Sequence, residues 1–215
     1  MNLKISYYII NKMAKYIAFD TETTGVDSLK CNLLTVSFIV LDSELNKLDT
    51  LNISLKHENY YINPTALEVN KIDIIKHHNN SLDIIDARVK LITFLNKYKI
   101  QYNFVPIGHN ILFDINFIKS SGLLTNEIYN KYISCNFIDT LTIAQFLKFS
   151  GKLPEKQSVS LINLCKYTEI KDDKNTDLEH SAEYDTNMTI KLLKKFKSII
   201  NEPEEQEIKK KRKLI

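Results

Sequence analysis

Three short apolar stretches with polar breaks between them occupy the first quarter of the chain, and after them the pattern changes to helical spacing. Lys15–Asp20 (KYIAFD), Asn32–Asp42 (NLLTVSFIVLD) and Lys47–Lys56 (KLDTLNISLK) are rich in β-branched and aromatic residues and are separated by turn-like breaks. This predicts three successive strands in an antiparallel meander. After Pro64 the apolar residues recur at helical spacing, predicting a short helix around Thr65–Val69 and a longer one over Ser81–Tyr98. A strand over Tyr102–Ile107, a helix over Asn110–Ser120 and a short strand near Cys135–Ile138 follow. Helices near Thr140–Lys148 and Ser160–Tyr167 and a last one over Ser181–Ile199 complete the pattern. Strands first, then strands alternating with helices, define an α/β fold.

A chain of 215 residues with 44% hydrophobic and 26% charged residues suits one well-buried core and is short for two full domains. Residues 1–13 read as an N-terminal arm, 14–200 as the domain, and 201–215 as a charged tail expected to be disordered. The formal charge is +3, of which the four acids and five bases of Glu202–Lys213 supply +1, so net charge does not itself point to nucleic acid. A locally positive groove, or metal ions in an acidic pocket, can hold phosphate without it.

Cys31, Cys135 and Cys165 are widely spaced and form no CxxC, which argues against a disulfide framework or a zinc knuckle and suits a cytoplasmic, reducing setting. The N-terminal stretch has no signal-peptide architecture, and no apolar run approaches membrane-spanning length, so no membrane association is expected. The four glycines, at 25, 108, 122 and 151, cannot compose a GxGxxG fingerprint or a GxxxxGK phosphate loop.

The chemistry is concentrated in five residues. Asp20 and Glu22 (FDTETTG) are two apart at a predicted strand end and therefore share a sheet face. Asp114 (GHNILFDINFI) starts a helix that follows a strand, at the carboxyl edge of a parallel unit. Asp185 lies on the last helix, on the stripe continued by Met188 or Thr189, Leu192 and Phe196. His180 (HSAEYD) is five residues earlier, roughly 140° around a continuous helix at about 3.6 residues per turn. It is therefore expected in the loop entering that helix. Alone, a DxE pair is more often an acidic strand end, an early helical Asp a dipole partner, and a loop His incidental. Together, four carboxylates in one cleft would repel one another unless cations neutralised them, and two divalent ions do so in phosphodiester hydrolysis.

These segments, in this order, resemble the DEDDh exonucleases, the DnaQ-like family that includes the proofreading subunit of bacterial replicative DNA polymerase. The resemblance covers about residues 14–198 and extends to INPTALEVNKI, FIDTLTIAQ and SLINLCKYTEI. It implies a ribonuclease H-like fold, a mixed five-stranded sheet flanked by helices. It makes Asp20, Glu22, Asp114 and Asp185 ligands of two divalent metal ions, Mg2+ or Mn2+, and His180 the general base. Thr23 would lie by the terminal 3′ hydroxyl, Val26 would wedge the last bases, and Phe113 would pack on the terminal nucleotide, core packing being its plain alternative. Asn110 would order the second motif or touch substrate, and Asp139 would be a structural acid. Asn70 departs from the proofreading subunits, which carry a histidine there.

The activity so implied is 3′-to-5′ removal of nucleoside 5′-monophosphates from single-stranded DNA, with proofreading for a DNA polymerase as one setting. The alternative within this chemistry is an RNA or short-oligonucleotide exonuclease. A non-catalytic nucleic-acid-binding or polymerase-adaptor module would be expected to lack a ligand, whereas all five residues are present.

Overall fold

The segments Tyr16–Thr23 and Leu33–Leu41 are covered along nearly their whole length and build the centre of the molecule. The protein is described by a computed structural model covering residues 14–99, 101–170 and 181–201, so the arm, His180 and the tail beyond Asn201 lie outside the described residues. Five strands form one mixed sheet: β1 (Tyr16–Thr23), β2 (Leu33–Leu41), β3 (Lys47–Ser54), β4 (Val105–Gly108) and β5 (Ile138–Asp139), in the spatial order β3-β2-β1-β4-β5. The expected meander is present, with β1–β2 and β2–β3 antiparallel, while β1–β4 and β4–β5 are parallel.

Eight helices stand among the described residues: α1 (Pro64–Asn70), α2 (Ile74–Asn79), α3 (Ile84–Tyr98), α4 (Ile111–Ser120), α5 (Asn126–Tyr132), α6 (Thr140–Phe149), α7 (Leu161–Tyr167) and α8 (Ala182–Asn201). Pro64 opens α1, its fixed φ suiting a first helical position. Asp83 accepts hydrogen bonds from the Ile85 and Asp86 amides, which starts α3 three residues later than the apolar spacing suggests. The sequence reading passed over α2 and α5. At six and seven residues they are too short to display a helical period, although their caps, Asp73 and Thr125, are visible in the sequence.

Two apolar layers sandwich the sheet. Ile17, Phe19, Val36, Phe38 and Val40 pack against Leu91 of α3 and Ile115 and Ile118 of α4. Ala18, Ile39, Leu41 and Ile107 pack on the other face under Ile190 and Leu193 of α8. The outer side of α8 buries Met188, Leu192 and Phe196 against Ala144 and Leu147 of α6 and Leu164 and Cys165 of α7. No described helix is long and apolar enough to cross a membrane.

The strand edges differ from the sequence expectation. β1 continues through the DTET segment to Thr23, so Asp20 and Glu22 lie within the strand and not at its end. β4 starts at Val105 instead of Tyr102, because its pairing with β1 covers only Val105–Ile107. β5 contracts from the expected Cys135–Ile138 to the two residues that pair with Ile107 and Gly108.

Candidate active site

The site grows from the C-terminal half of β1, the half that ends at Thr23. Alternation sends Asp20 and Glu22 to the α8 face, the side on which Ala18 packs. Asp185, in the first turn of α8, arrives above them. One carboxylate oxygen from each of Asp20, Glu22 and Asp185 can be chosen so that all three lie within 4.8 Å of one another.

Asp114 approaches from the other side. It belongs to the first turn of α4 and is 2% exposed. The hydroxyl of Thr21, which points to the face opposite Asp20 and Glu22, donates to Asp114 Oδ1 at 2.6 Å. Gly108 permits the tight turn from β4 into α4, since a Cβ there would lie 2.7 Å from the Ile111 side chain. Asn110 adopts a left-handed conformation with φ 61°, which asparagine tolerates. Its amide donates to Asp139 Oδ1 at 2.7 Å. Asp139 also accepts from the Leu141 amide and the Thr142 hydroxyl, which accounts for it as the cap of α6.

Burial and mutual repulsion act on this cluster. Burial, reinforced by Asp114, Asp185 and Glu22, pushes the Asp20 carboxyl well above the usual carboxylate range. Burial, with Asp185 and Asp114, pushes Glu22 up to about 8. Asp114 is pushed up to about 7 by burial, against the opposing effect of the Thr21 hydroxyl and backbone amides. A purely carboxylate donor set is hard-oxygen chemistry, which suits Mg2+ or Mn2+. Acids that resist ionisation together until a cation joins them are the electrostatic signature such a site would have.

The remaining predicted residues fall around this centre. Thr23 ends β1, its hydroxyl donating to the Gly25 carbonyl at 2.6 Å. Val26 stands in the following loop and is 79% exposed. Phe113 is half-buried, packed against the main core and 4.9 Å from the ring of Phe117, so core packing accounts for its position in the protein alone. His180 lies outside the described residues.

The fold gives two further residues a supporting part, Thr21 and Asn70. Thr21 went unremarked because it sits between two acids on the opposite face of the strand; only its proximity to Asp114, 93 residues away, shows its part. Asn70 stood out as a departure from the proofreading pattern. In the fold it is buried at the end of α1 and donates from Nδ2 to the Thr23 carbonyl at 3.0 Å, holding the end of β1 in place.

Fold and site together define a ribonuclease H-like α/β domain with an acidic centre at the edge of its sheet. A family model described as Exonuclease (RNase T) matches residues 17–193. The chain therefore belongs to this exonuclease family, within the DEDDh 3′-to-5′ exonucleases.

Solved structures agree on the fold. Exonuclease I of E. coli in complex with a dT13 oligonucleotide superposes with TM-score 0.64 at 17% identity, over 85% of this chain and 40% of that one. The zinc-bound form of the E. coli exonuclease I–ssDNA complex gives 0.65 at 15% identity, over 86% and 41%. The moderately thermophilic exonuclease I of Methylocaldum szegediense gives 0.64 at 15%, over 85% and 40%. The chain thus spans about two fifths of the length of these exonucleases. No curated protein matches the sequence.

Proposed function

We propose that this protein is a divalent-metal-dependent 3′-to-5′ exonuclease acting on single-stranded DNA and releasing nucleoside 5′-monophosphates. The observation that carries this reading is the convergence of Asp20, Glu22 and Asp185 within 4.8 Å, backed by buried Asp114. Asp20, Glu22, Asp114 and Asp185 would hold two Mg2+ or Mn2+ ions. Such ions, when bound, activate a water and stabilise the oxygen that leaves. Thr21 keeps Asp114 at the edge of the sheet, and His180 is proposed to take the proton from the attacking water. Membership of the family and the DNA-bound state of the exonuclease I structures support the direction and the substrate.

The surroundings of the site suit a single strand. Val26, Leu29 and Tyr61 expose 79%, 89% and 66% of their surfaces beside the end of β1. The Thr24 hydroxyl donates to the Tyr61 carbonyl at 2.6 Å, and the Tyr61 amide donates to Asn32 Oδ1 at 2.8 Å, so the loops are tied together. Of the three exposed side chains, the ring of Tyr61 offers a base a surface on which to stack. We assign Val26 to the wedge between the last bases, Thr23 to the terminal 3′ hydroxyl, and Phe113 and Asn110 to the terminal nucleotide. Service to a DNA polymerase rests on the sequence resemblance alone.

The test is a time course of 5′-labelled single-stranded DNA and RNA with Mg2+, Mn2+ or EDTA, using Asp20→Ala as control. A metal-dependent ladder shortening from the 3′ end, absent in the variant, is the expected result. Preference for RNA would move the assignment to the RNA or short-oligonucleotide alternative. Intact strands throughout, with folded protein, would favour the binding module.

A further inference from the structure

Ser37 lies in the middle of β2, directly across from Asp20 in the antiparallel β1–β2 pair. Directly opposed residues of such a pair share a face, with Cβ atoms roughly 4.5–5.5 Å apart. That face lies under α8, because Ile39, two residues along β2, packs with Ile190 and Leu193. Ser37 is 1% exposed, and its hydroxyl oxygen has no hydrogen-bond partner among the described residues. The row continues onto β3, where Asn52 pairs with Ser37 and donates from Nδ2 to Glu183 Oε2 at 2.6 Å. Asp20, Ser37 and Asn52 thus form one polar row across the sheet, ending on the helix turn that carries Asp185.

A buried hydroxyl without a partner is destabilising, and an alanine methyl would occupy the same place without that penalty. Of the two residues that pair with Ser37, Asn52 is turned to Glu183 through its Nδ2, and Asp20 offers a charged carboxylate as acceptor. Ligating carboxylates are held by outer hydrogen bonds that select the oxygen facing the ion, and losing such a bond typically weakens metal binding about 10–100-fold. We propose that Ser37 is a positioning residue of the acidic centre, its hydroxyl donating to the Asp20 carboxylate when that carboxylate holds a divalent cation. The inference rests on reading the acid cluster as a cation site.

Thr50 supplies the control. Its hydroxyl is likewise buried without a partner, but it pairs with Ile39, in the apolar row next to the acids. Mn2+ is titrated calorimetrically into the 215-residue wild-type chain, Ser37→Ala, Thr50→Val and Asp20→Asn, and each protein is melted in EDTA. Ser37→Ala is expected to bind Mn2+ about 10–100-fold more weakly while melting in EDTA no lower than wild type. Thr50→Val is expected to bind like wild type. Unchanged Mn2+ affinity in Ser37→Ala, with Asp20→Asn clearly weakened, would overturn the role of Ser37 and leave the cation site standing. Equal weakening in Ser37→Ala and Thr50→Val, or a lower EDTA melting temperature for Ser37→Ala, would also overturn it by assigning the effect to packing. No Mn2+ binding by wild type, or wild-type affinity in Asp20→Asn, would remove the cation site and this inference with it.

Discussion

The two ends of the β1–β2 pair each carry buried acid, and they treat it in opposite ways. At the end where β2 finishes, Asp42 is nearly inaccessible. Its Oδ1 accepts from the amides of Glu44 and Asn46 at 2.8 Å each, and Oδ2 accepts from Asn46 Nδ2 at 3.0 Å. The chain has built a donor cage for one carboxylate, and the cage forms the turn into β3. At the other end, Asp20, Glu22 and Asp185 converge on one another, and Asp114 joins them from across the sheet. Burial and mutual repulsion lift Asp20, Glu22 and Asp114 out of the usual carboxylate range, against the Thr21 hydroxyl and backbone amides that act on Asp114. Asp42 is surrounded by donors from its own chain, whereas the acids of the cluster repel one another, a condition that a bound cation would relieve.

The sharpest break of this comparison is Asp185→Ala. Cleavage of 5′-labelled single strands is expected to fall to background with the circular dichroism spectrum unchanged. In EDTA at pH 8 the variant is expected to melt no lower than wild type, because one of the repelling charges is gone. Retained turnover would overturn the assignment of Asp185.

His180→Ala is expected to slow cleavage by about 10²- to 10⁴-fold, the range for a general base, with Mn2+ affinity largely kept. An unchanged rate and pH profile would show that another group takes the proton.

Asp42→Ala should act at the opposite end and in the opposite manner. Leaving its donors unpaired is expected to lower stability to urea by about 1.5–3 kcal/mol, while cleavage per folded molecule stays at the wild-type level. A loss of activity without a loss of stability would erase the distinction between the two ends.

The comparison can also be read as a slope with pH. The cluster acids titrate near 4 when unfolded, but Glu22 at about 8 and Asp114 at about 7 in the fold. Between these limits the folded state keeps protons that the unfolded chain has released, so stability in EDTA falls as pH rises from about 4.5 to about 8. Added Mn2+ should reverse this, with a melting-temperature gain that grows across the same interval, because binding requires deprotonated ligands. A melting temperature in EDTA that climbs through this window would contradict the raised carboxyls.

Much of this arrangement was legible in the chain. The three β-branched, aromatic-rich stretches from Lys15 to Lys56 read directly as the meander, and the helical spacing after Asp185 read directly as α8. Met188, Leu192 and Phe196 of that stripe nonetheless pack outward on α6 and α7, while Ile190 and Leu193 face the sheet. Short elements were not legible, since α2, α5 and the two residues of β5 contain less than one readable period. The resemblance to DEDDh exonucleases added the order of the acidic motifs, which periodicity alone could not have grouped.

By itself the sequence determined which residues carry charge and which face of each element they occupy, because alternation and helical spacing are local properties of the backbone. It thereby placed Asp20 and Glu22 side by side. Only the tertiary structure decided that Asp185 meets them across the sheet face and that Thr21 reaches Asp114. It also decided that Ser37 lies opposite Asp20 with an unused hydroxyl. These relations join residues far apart in the chain, and they follow from strand register and helix packing, in which many weak apolar contacts settle the geometry together.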